Sequence, residues 1–304
     1  MFLDQPKNVG YSFGYGSATK SSKEAADDFV VFYQNWLLLF PAFVGRQLII
    51  AGESYGGHYI PAWANAILDY NDKASASAAI NFAGVLIGNG CVNNTVQNSD
   101  TFIAFQHENN LIPASLKPKS STASRAAMAS YLGYTPNYYD YRTTSISCSA
   151  CYGYNYTAWS YWLLQSDILT ALNVCGQAGE DAFAGSAGGC ISMGNFDAKD
   201  SFDYSGALAR TLEAGVPVTL YYGKTDTACD YVGGYAMASS IQWSGTNGFN
   251  ELAFQPLELA GVEAGQVKSY KGLTFLQVEN AGHMVPLDQP AASAAAFLTI
   301  LKQL

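Results

Sequence analysis

Apolar positions along this chain follow two periods in turn, and their alternation predicts strands and helices in succession. Residues 22–44 carry Phe29, Phe32, Tyr33, Trp36, Leu37 and Phe40 at three- and four-residue spacing, which predicts a helix with one apolar face. Ser21 or Ser22 can cap its start, Glu24 lies in its first turn, and Pro41 follows it. Residues 47–51 form a short apolar run that predicts a strand, and the run from Tyr59 to Leu68 predicts the helix after it. Residues 81–88 are apolar without alternation, as in a strand buried on both faces of a parallel sheet. The rhythm breaks between about 92 and 195, where the chain turns polar, aromatic and poorly periodic, with one clear helix expected from Ala158 to Val174. It resumes at Ser201 with a helix over about 202–214, a strand Val216–Tyr222, a strand Leu273–Val278 and a helix Pro290–Leu301. Strands alternating with helices predict an α/β fold, read as a first core segment 1–91, an insertion 92–195 lying over the sheet, and a second core segment 196–304.

Composition narrows the classes. The 304 residues are 49% hydrophobic, enough for a large core in one domain or a domain with an insertion. Only 13% are charged and the net charge is −9, so no basic surface exists to neutralise phosphates and nucleic-acid binding is disfavoured. Pro41, Arg46 and Gln47 interrupt the longest apolar stretch below the roughly 18 residues that a membrane span needs. Met1-Phe-Leu-Asp4 lacks the basic and apolar regions of a signal peptide. The six cysteines are Cys91, Cys148, Cys151, Cys175, Cys190 and Cys229. Cys148-x-x-Cys151 has neither a second pair nor a nearby histidine to complete a zinc site, so disulfides are the better reading, with no metal. Asn93-Asn-Thr95 and Asn155-Tyr-Thr157 are acceptor sequons for N-glycosylation, and with the cysteines they favour an oxidising compartment.

The chemistry gathers at strand ends. Gly52-Glu-Ser-Tyr-Gly56 places Ser54 in a Gly-x-Ser-x-Gly turn between a predicted strand and a predicted helix, the setting of a nucleophile elbow. An ordinary strand–helix turn with an exposed serine is the plain alternative. Asp226 follows the strand that ends at Tyr222, and His283 follows the strand that ends at Val278. Ligands of open α/β sheets bind at that carboxyl edge. The order Ser, Asp, His is that of α/β-hydrolases. Asp226 alone reads equally well as a turn aspartate. Of the three histidines, His58 reads as a structural residue on the helix after Ser54 and His107 as an exposed one, which leaves His283 as the general base.

Five segments then carry a family resemblance: Phe2-Leu-Asp-Gln-Pro6 with Asn8-Val-Gly-Tyr-Ser12, Gly52-Glu-Ser-Tyr-Gly-Gly-His-Tyr-Ile-Pro61, Leu86-Ile-Gly-Asn-Gly90, Tyr139-Asp-Tyr-Arg142 and Gly282-His-Met-Val-Pro286. Together they resemble the serine carboxypeptidases. The resemblance implies an α/β-hydrolase fold, with a mostly parallel central sheet, helices on both faces and an insertion over the active site. It implies a catalytic triad of Ser54, Asp226 and His283, and an oxyanion donor at the Tyr55 backbone N–H. Glu53 would recognise the substrate's terminal carboxylate, which it can do as a donor only while protonated, so the site would favour acidic pH. Cys229 would be a free thiol lining the pocket for the residue before the scissile bond, and Met284 would line the leaving residue's pocket. No cofactor is implied, and the partners would be peptide or protein C-termini in the secretory pathway, vacuole-like or extracellular.

Two departures accompany the resemblance. Asp230 stands where the family often has Asn, and an inward-pointing carboxylate there would raise the pKa of His283. The family's upstream Asn-Gly-Gly-Pro-Gly segment, which supplies a second oxyanion N–H, is not found in this chain, so the first strands of the family's sheet are expected to be missing and Cys190 to lack its partner. The leading reading is a serine-type carboxypeptidase. A truncated, catalytically impaired relative or an incomplete gene model is one alternative, and an esterase or acyltransferase of the same fold is another.

Overall fold

A computed structural model describes residues 1–304 except 8, 13–16, 18, 146–153, 155–156, 174–199, 201–202, 260–261 and 302–304. The chain divides into two compact units, Met1–Ala25 with Ile146–Asp200 and Ala26–Ser145 with Ser201–Leu304. Residues 92–145 belong to the large unit.

The large unit is built on a six-stranded sheet. Its strands are β1 (Leu48–Glu53), β2 (Phe82–Gly88), β5 (Val218–Gly223), β6 (Gln255–Leu259), β7 (Val262–Tyr270) and β8 (Leu273–Val278), in the order β1-β2-β5-β8-β7-β6. A separate two-stranded ribbon pairs β3 (Pro136–Asn137) with β4 (Asp140–Thr144). Strands β1, β2, β5 and β8 pair in parallel, whereas β7 runs antiparallel to both β8 and β6. Every residue of β5 and β8 is buried, which explains why these segments read as continuous apolar runs. Strand β1 ends the sheet order and is only partly covered.

Predicted and observed elements agree closely in the core. The expected first helix is Ser22–Leu39, followed by a 3₁₀ turn at Pro41–Phe43. Ser21 caps it, its Oγ accepting from the Glu24 N–H, while the Glu24 carboxylate reaches back to the Lys20 N–H. The helix after β1 runs from Gly56 to Asn71, and its Trp63 stacks on Phe29 of the first helix at 3.9 Å between ring centroids. Helices Ser205–Glu213 and Pro290–Leu301 and strand β8 also stand where the periodicity put them. The β6–β7 ribbon was not foreseen. Its strands alternate between exposed and covered residues, the signature of antiparallel strands with one wet face. Residues 92–145 also hold more order than their weak periodicity suggests, with helices Asn94–Gln97, Asp100–Glu108 and Ser121–Leu132.

In the small unit, the helix expected from Ala158 to Val174 is two short helices, Thr157–Leu163 and Ser166–Ala171, and Val174 lies outside the described residues. Here Asp200 accepts from both the N–H and the Oγ of Ser22, and the Tyr11 hydroxyl donates to the Leu163 carbonyl. Among the described residues, no helix is long and apolar enough to cross a membrane.

Candidate active site

Four neighbouring parallel strands each deliver one polar residue just beyond their carboxyl ends: Ser54 after β1, Asn89 after β2, Asp226 after β5 and His283 after β8. Two of these have left-handed backbones, Ser54 at φ 59° and Asn89 at φ 40°. A serine in that region is strained by its Cβ, and the surrounding hydrogen bonds hold it there. The Ser54 N–H donates to the Gly88 carbonyl at 2.9 Å, and its own carbonyl accepts from the N–H groups of Gly57 at 2.9 Å and Cys91 at 3.0 Å. The chain then enters helix Gly56–Asn71 through Tyr55, the N-cap, whose backbone amide sits at the positive end of the helix.

The glycines of the elbow differ in what they do. A Cβ at Gly57 would lie 2.7 Å from the Cys91 backbone nitrogen, so only glycine lets the helix start pass that loop. A Cβ at Gly56 would meet nothing closer than 3.7 Å. The steric requirement therefore falls on Gly57 and not on Gly56, and it falls also on Gly52, where a Cβ would lie 2.7 Å from the Ile60 side chain.

Asp226 and His283 form a buried pair, 0% and 2% exposed. His283 Nδ1 lies 2.7 Å from Asp226 Oδ2. The carboxylate is held from three further sides: Asn89 Nδ2 donates to Oδ2 at 2.8 Å, the Cys229 N–H to Oδ2 at 3.2 Å and the Ala228 N–H to Oδ1 at 2.7 Å. An acidic side chain so engaged presents its remaining lone pair to the imidazole and fixes the ring's orientation. The Tyr139 ring stacks on the other side of the imidazole, 4.3 Å between centroids and 8° from parallel, and the Tyr139 carbonyl accepts from the His283 N–H at 2.7 Å. Nε2 of His283 is buried and carries no hydrogen bond among the described residues. It is the nitrogen open to accept a proton.

Burial pushes the Glu53 carboxyl up to about 7, and the charges of Asp226 and Asp288 push in the same direction against the opposing pull of His283. Burial alone would lower the His283 pKa, but the charge and hydrogen bond of Asp226, with the charge of Glu53, raise it above its ordinary value. The two groups are linked: protonating Glu53 removes one of the charges that hold the proton on His283. With Glu53 neutral, His283 gives up its proton at lower pH than it would beside an ionised Glu53. That places the base's working form on the acidic side of where a lone ionised neighbour would put it.

Several expectations from the sequence are corrected. Cys229 is no free thiol. It is disulfide-bonded to Cys91 across 138 residues of chain, tying the loop that backs Ser54 to the loop that carries Asp226. Asp230 does not face His283. It is 3% exposed and caps helix Tyr231–Ser240, accepting from the Gly233 N–H at 2.8 Å, and burial raises its own pKa to about 7. Asn93 does not fit a glycan. It is 7% exposed, and its side chain caps helix Asn94–Gln97 by accepting from the Val96 N–H. Asn155, Cys148, Cys151, Cys175 and Cys190 lie outside the described residues.

Glu53 ends β1 and Met284 is half-buried at the start of the turn helix Val285–Asp288. His58 is buried between the rings of Tyr55, stacked at 4.2 Å, and Tyr204, a structural position. His107 is partly exposed, with Nε2 at 2.8 Å from the Leu116 carbonyl. Asn89 and Tyr139 occur in segments that carried the resemblance but had no role assigned. Asn89 had a legible signal, since asparagine directly after a buried strand and between two glycines is the residue that tolerates positive φ.

Comparison with known proteins agrees with this geometry. The sequence profile of the serine carboxypeptidase family matches residues 1–135 and 119–303. Carboxypeptidase Y homolog A of Podospora anserina is 30% identical over 334 residues, covering 96% of this chain and 57% of the relative. The Fusarium vanettenii homolog A is 31% identical, covering 98% and 59%, and carboxypeptidase Y of Candida albicans is 30% identical, covering 95% and 57%. The chain thus spans 57–59% of the length of these relatives. The crystal structure of Kex1(delta)p, a prohormone-processing carboxypeptidase from Saccharomyces cerevisiae, superposes with a TM-score of 0.79 at 21% identity, covering 98% of this chain and 72% of that one. The central parallel sheet, its helices and this likeness establish an α/β-hydrolase fold. With profile matches along nearly the whole length and relatives 30–31% identical over 95–98% of the chain, the chain belongs to the serine carboxypeptidase family.

Proposed function

We propose that this protein is a serine-type carboxypeptidase that removes the C-terminal residue of peptides and proteins at acidic pH through an acyl-enzyme. The observation that carries the reading is the buried Asp226–His283 pair, with a bare Nε2, on the same sheet edge as a serine held at positive φ.

In this mechanism Ser54 Oγ attacks the scissile carbonyl carbon while His283 Nε2 takes the hydroxyl proton. The imidazolium is stabilised by Asp226 and by the flat Tyr139 ring. The Tyr55 N–H, directly after the nucleophile and at a helix start, donates to the developing oxyanion. The proton on Nε2 passes to the departing amine, the ester at Ser54 forms, and a water deprotonated by the same nitrogen hydrolyses it. Glu53, neutral below about pH 7, donates its proton to the carboxylate of the leaving residue, and Met284 offers that residue's side chain an apolar surface. Ionised Glu53 would repel the same carboxylate, which ties activity to acidic pH. The Cys91–Cys229 disulfide supports residence in an oxidising compartment of the secretory pathway.

A fluorophosphonate probe tests the reading together with an N-blocked dipeptide bearing a free C-terminal carboxylate. The expected result is covalent labelling of Ser54, lost in Ser54→Ala, and release of the terminal amino acid that declines as pH rises through about 7 and Glu53 ionises, and declines on the acidic side as His283 takes up a proton. Folded protein that takes no label and releases no amino acid would overturn it.

A further inference from the structure

We propose that Tyr221 is a positioning residue for Glu53: its hydroxyl, laid across Gly88, holds the Glu53 carboxyl in the orientation that receives a substrate's C-terminal carboxylate. The inference rests on the carboxylate-recognition role given to Glu53 above.

The placement follows from sheet register. Glu53 of β1 pairs with Gly88 of β2, and Gly88 pairs with Tyr221 of β5, all in parallel. Residues in register across parallel strands point to one face, so Glu53, Gly88 and Tyr221 form a single row on that face. Gly88 is the gap in the row. A Cβ added there would collide with Cζ and the hydroxyl oxygen of Tyr221, so the end of the tyrosine ring occupies the space a side chain at Gly88 would fill. The ring itself belongs to the apolar cluster of Leu86, Leu276, Val278 and Val285. Its polar end is thereby brought over the strand that adjoins Glu53. The charge of Glu53 is accordingly felt at the hydroxyl, where it adds to burial in making Tyr221 harder to ionise.

Chemistry then selects Tyr221 among the groups around Glu53. The charged and titratable neighbours that act on Glu53 are His283, Asp226 and Asp288. The two carboxylates accept when ionised and cannot orient a carboxyl that must itself donate. His283 Nδ1 is engaged by Asp226. Tyr221 is neutral throughout the working range and offers one O–H donor. When a substrate carboxylate arrives, the protonated oxygen of Glu53 donates to it and the carbonyl oxygen of the same carboxyl accepts from Tyr221. The arrangement keeps the proton on the substrate side. The row also gives Gly88 a function: any side chain there would displace the hydroxyl.

The test compares Tyr221→Phe, which retains the ring packing and removes only the hydroxyl, with Glu53→Gln and the wild-type protein. Two substrates sharing one N-blocked acyl residue are used, a dipeptide with a free C-terminal carboxylate and the p-nitrophenyl ester, whose leaving group has no carboxylate. Tyr221→Phe is expected to raise KM for the dipeptide about tenfold relative to the ester, with little change in kcat, as for loss of one buried hydrogen bond to a binding group. The dipeptide-to-ester ratio of kcat/KM falls by the same factor. An unchanged ratio in Tyr221→Phe, alongside a reduced ratio in Glu53→Gln, overturns the role of Tyr221 alone. An unchanged ratio in Glu53→Gln overturns the carboxylate-recognition reading and the inference with it. An equal loss of kcat on both substrates in Tyr221→Phe assigns the residue a packing role and also overturns the inference.

Discussion

Replacing Asp230 by asparagine should flatten the pH dependence of stability, and the size of the effect can be worked out from the site. Asp230 is 3% exposed, and burial raises its pKa from 3.8 to about 7. The folded protein therefore binds a proton that the unfolded chain has already released across the interval between those values. A carboxyl raised on folding contributes stability that is fully present below its unfolded pKa and is lost as pH rises through the folded one. Each pH unit inside the interval removes about 1.4 kcal/mol per group, so from about pH 5 to about pH 7 the loss from Asp230 is about 2 kcal/mol once its partial ionisation near pH 7 is counted. Asparagine keeps the acceptor that caps helix Tyr231–Ser240 through the Gly233 N–H and is as good an N-cap as aspartate, so the cap survives while the titration disappears. Glu53 and His283 are also raised and also favour low pH, but they are present in both proteins and cancel in the difference. Urea unfolding of both proteins at about pH 5, 6 and 7 measures that difference. Wild-type stability relative to Asp230→Asn should fall by about 2 kcal/mol over the range. A difference that stays constant within about 0.5 kcal/mol would show that the buried carboxyl does not hold its proton, and the reasoning would fail.

Four further outcomes follow from the same geometry. Glu53→Gln removes a charge that raises His283, so the acidic limb of kcat/KM for ester hydrolysis should move to lower pH; a limb that stays or moves up contradicts the linkage. Asn89→Ala removes a charge-assisted donor to Asp226 and should lower kcat/KM about 10- to 100-fold, and a loss smaller than about twofold would deny Asn89 a part in holding the aspartate. Breaking Cys91–Cys229 by the double change Cys91→Ser and Cys229→Ser opens a loop closed over a separation of 138 residues and should lower unfolding stability by about 4–5 kcal/mol, read by urea titration. Gly57→Ala should abolish labelling of Ser54 by forcing the Cys91 backbone away, whereas Gly56→Ala, which has room, should label like the wild type.

The local signals in the chain were enough to place the candidate site along the sheet edge. A buried parallel strand must be apolar on both faces, so β2, β5 and β8 announce themselves as unbroken apolar runs, and the polar residues that interrupt those runs at their carboxyl ends are the ones that can face a ligand. Ser54, Asp226 and His283 were legible for that reason. The β6–β7 ribbon was less so, because an antiparallel pair with one wet face shows a short alternation easily lost among turns. Which groups meet was decided only by the tertiary structure. Cys91 pairs with Cys229, Asn89 braces Asp226, Asp230 turns away to cap a helix, Asn93 is buried in another cap, and Tyr221 reaches over Gly88 towards Glu53. The Cys91–Cys229 and Asn89–Asp226 contacts each join residues more than a hundred positions apart. Periodicity reports which face of one element is buried, whereas partner choice and the pKa shifts that follow from burial depend on the whole packed sheet. The sequence by itself determined the parallel core strands, the elbow and the order of serine, aspartate and histidine; the packing of distant loops decided which side chains those residues touch and how tightly each holds its proton.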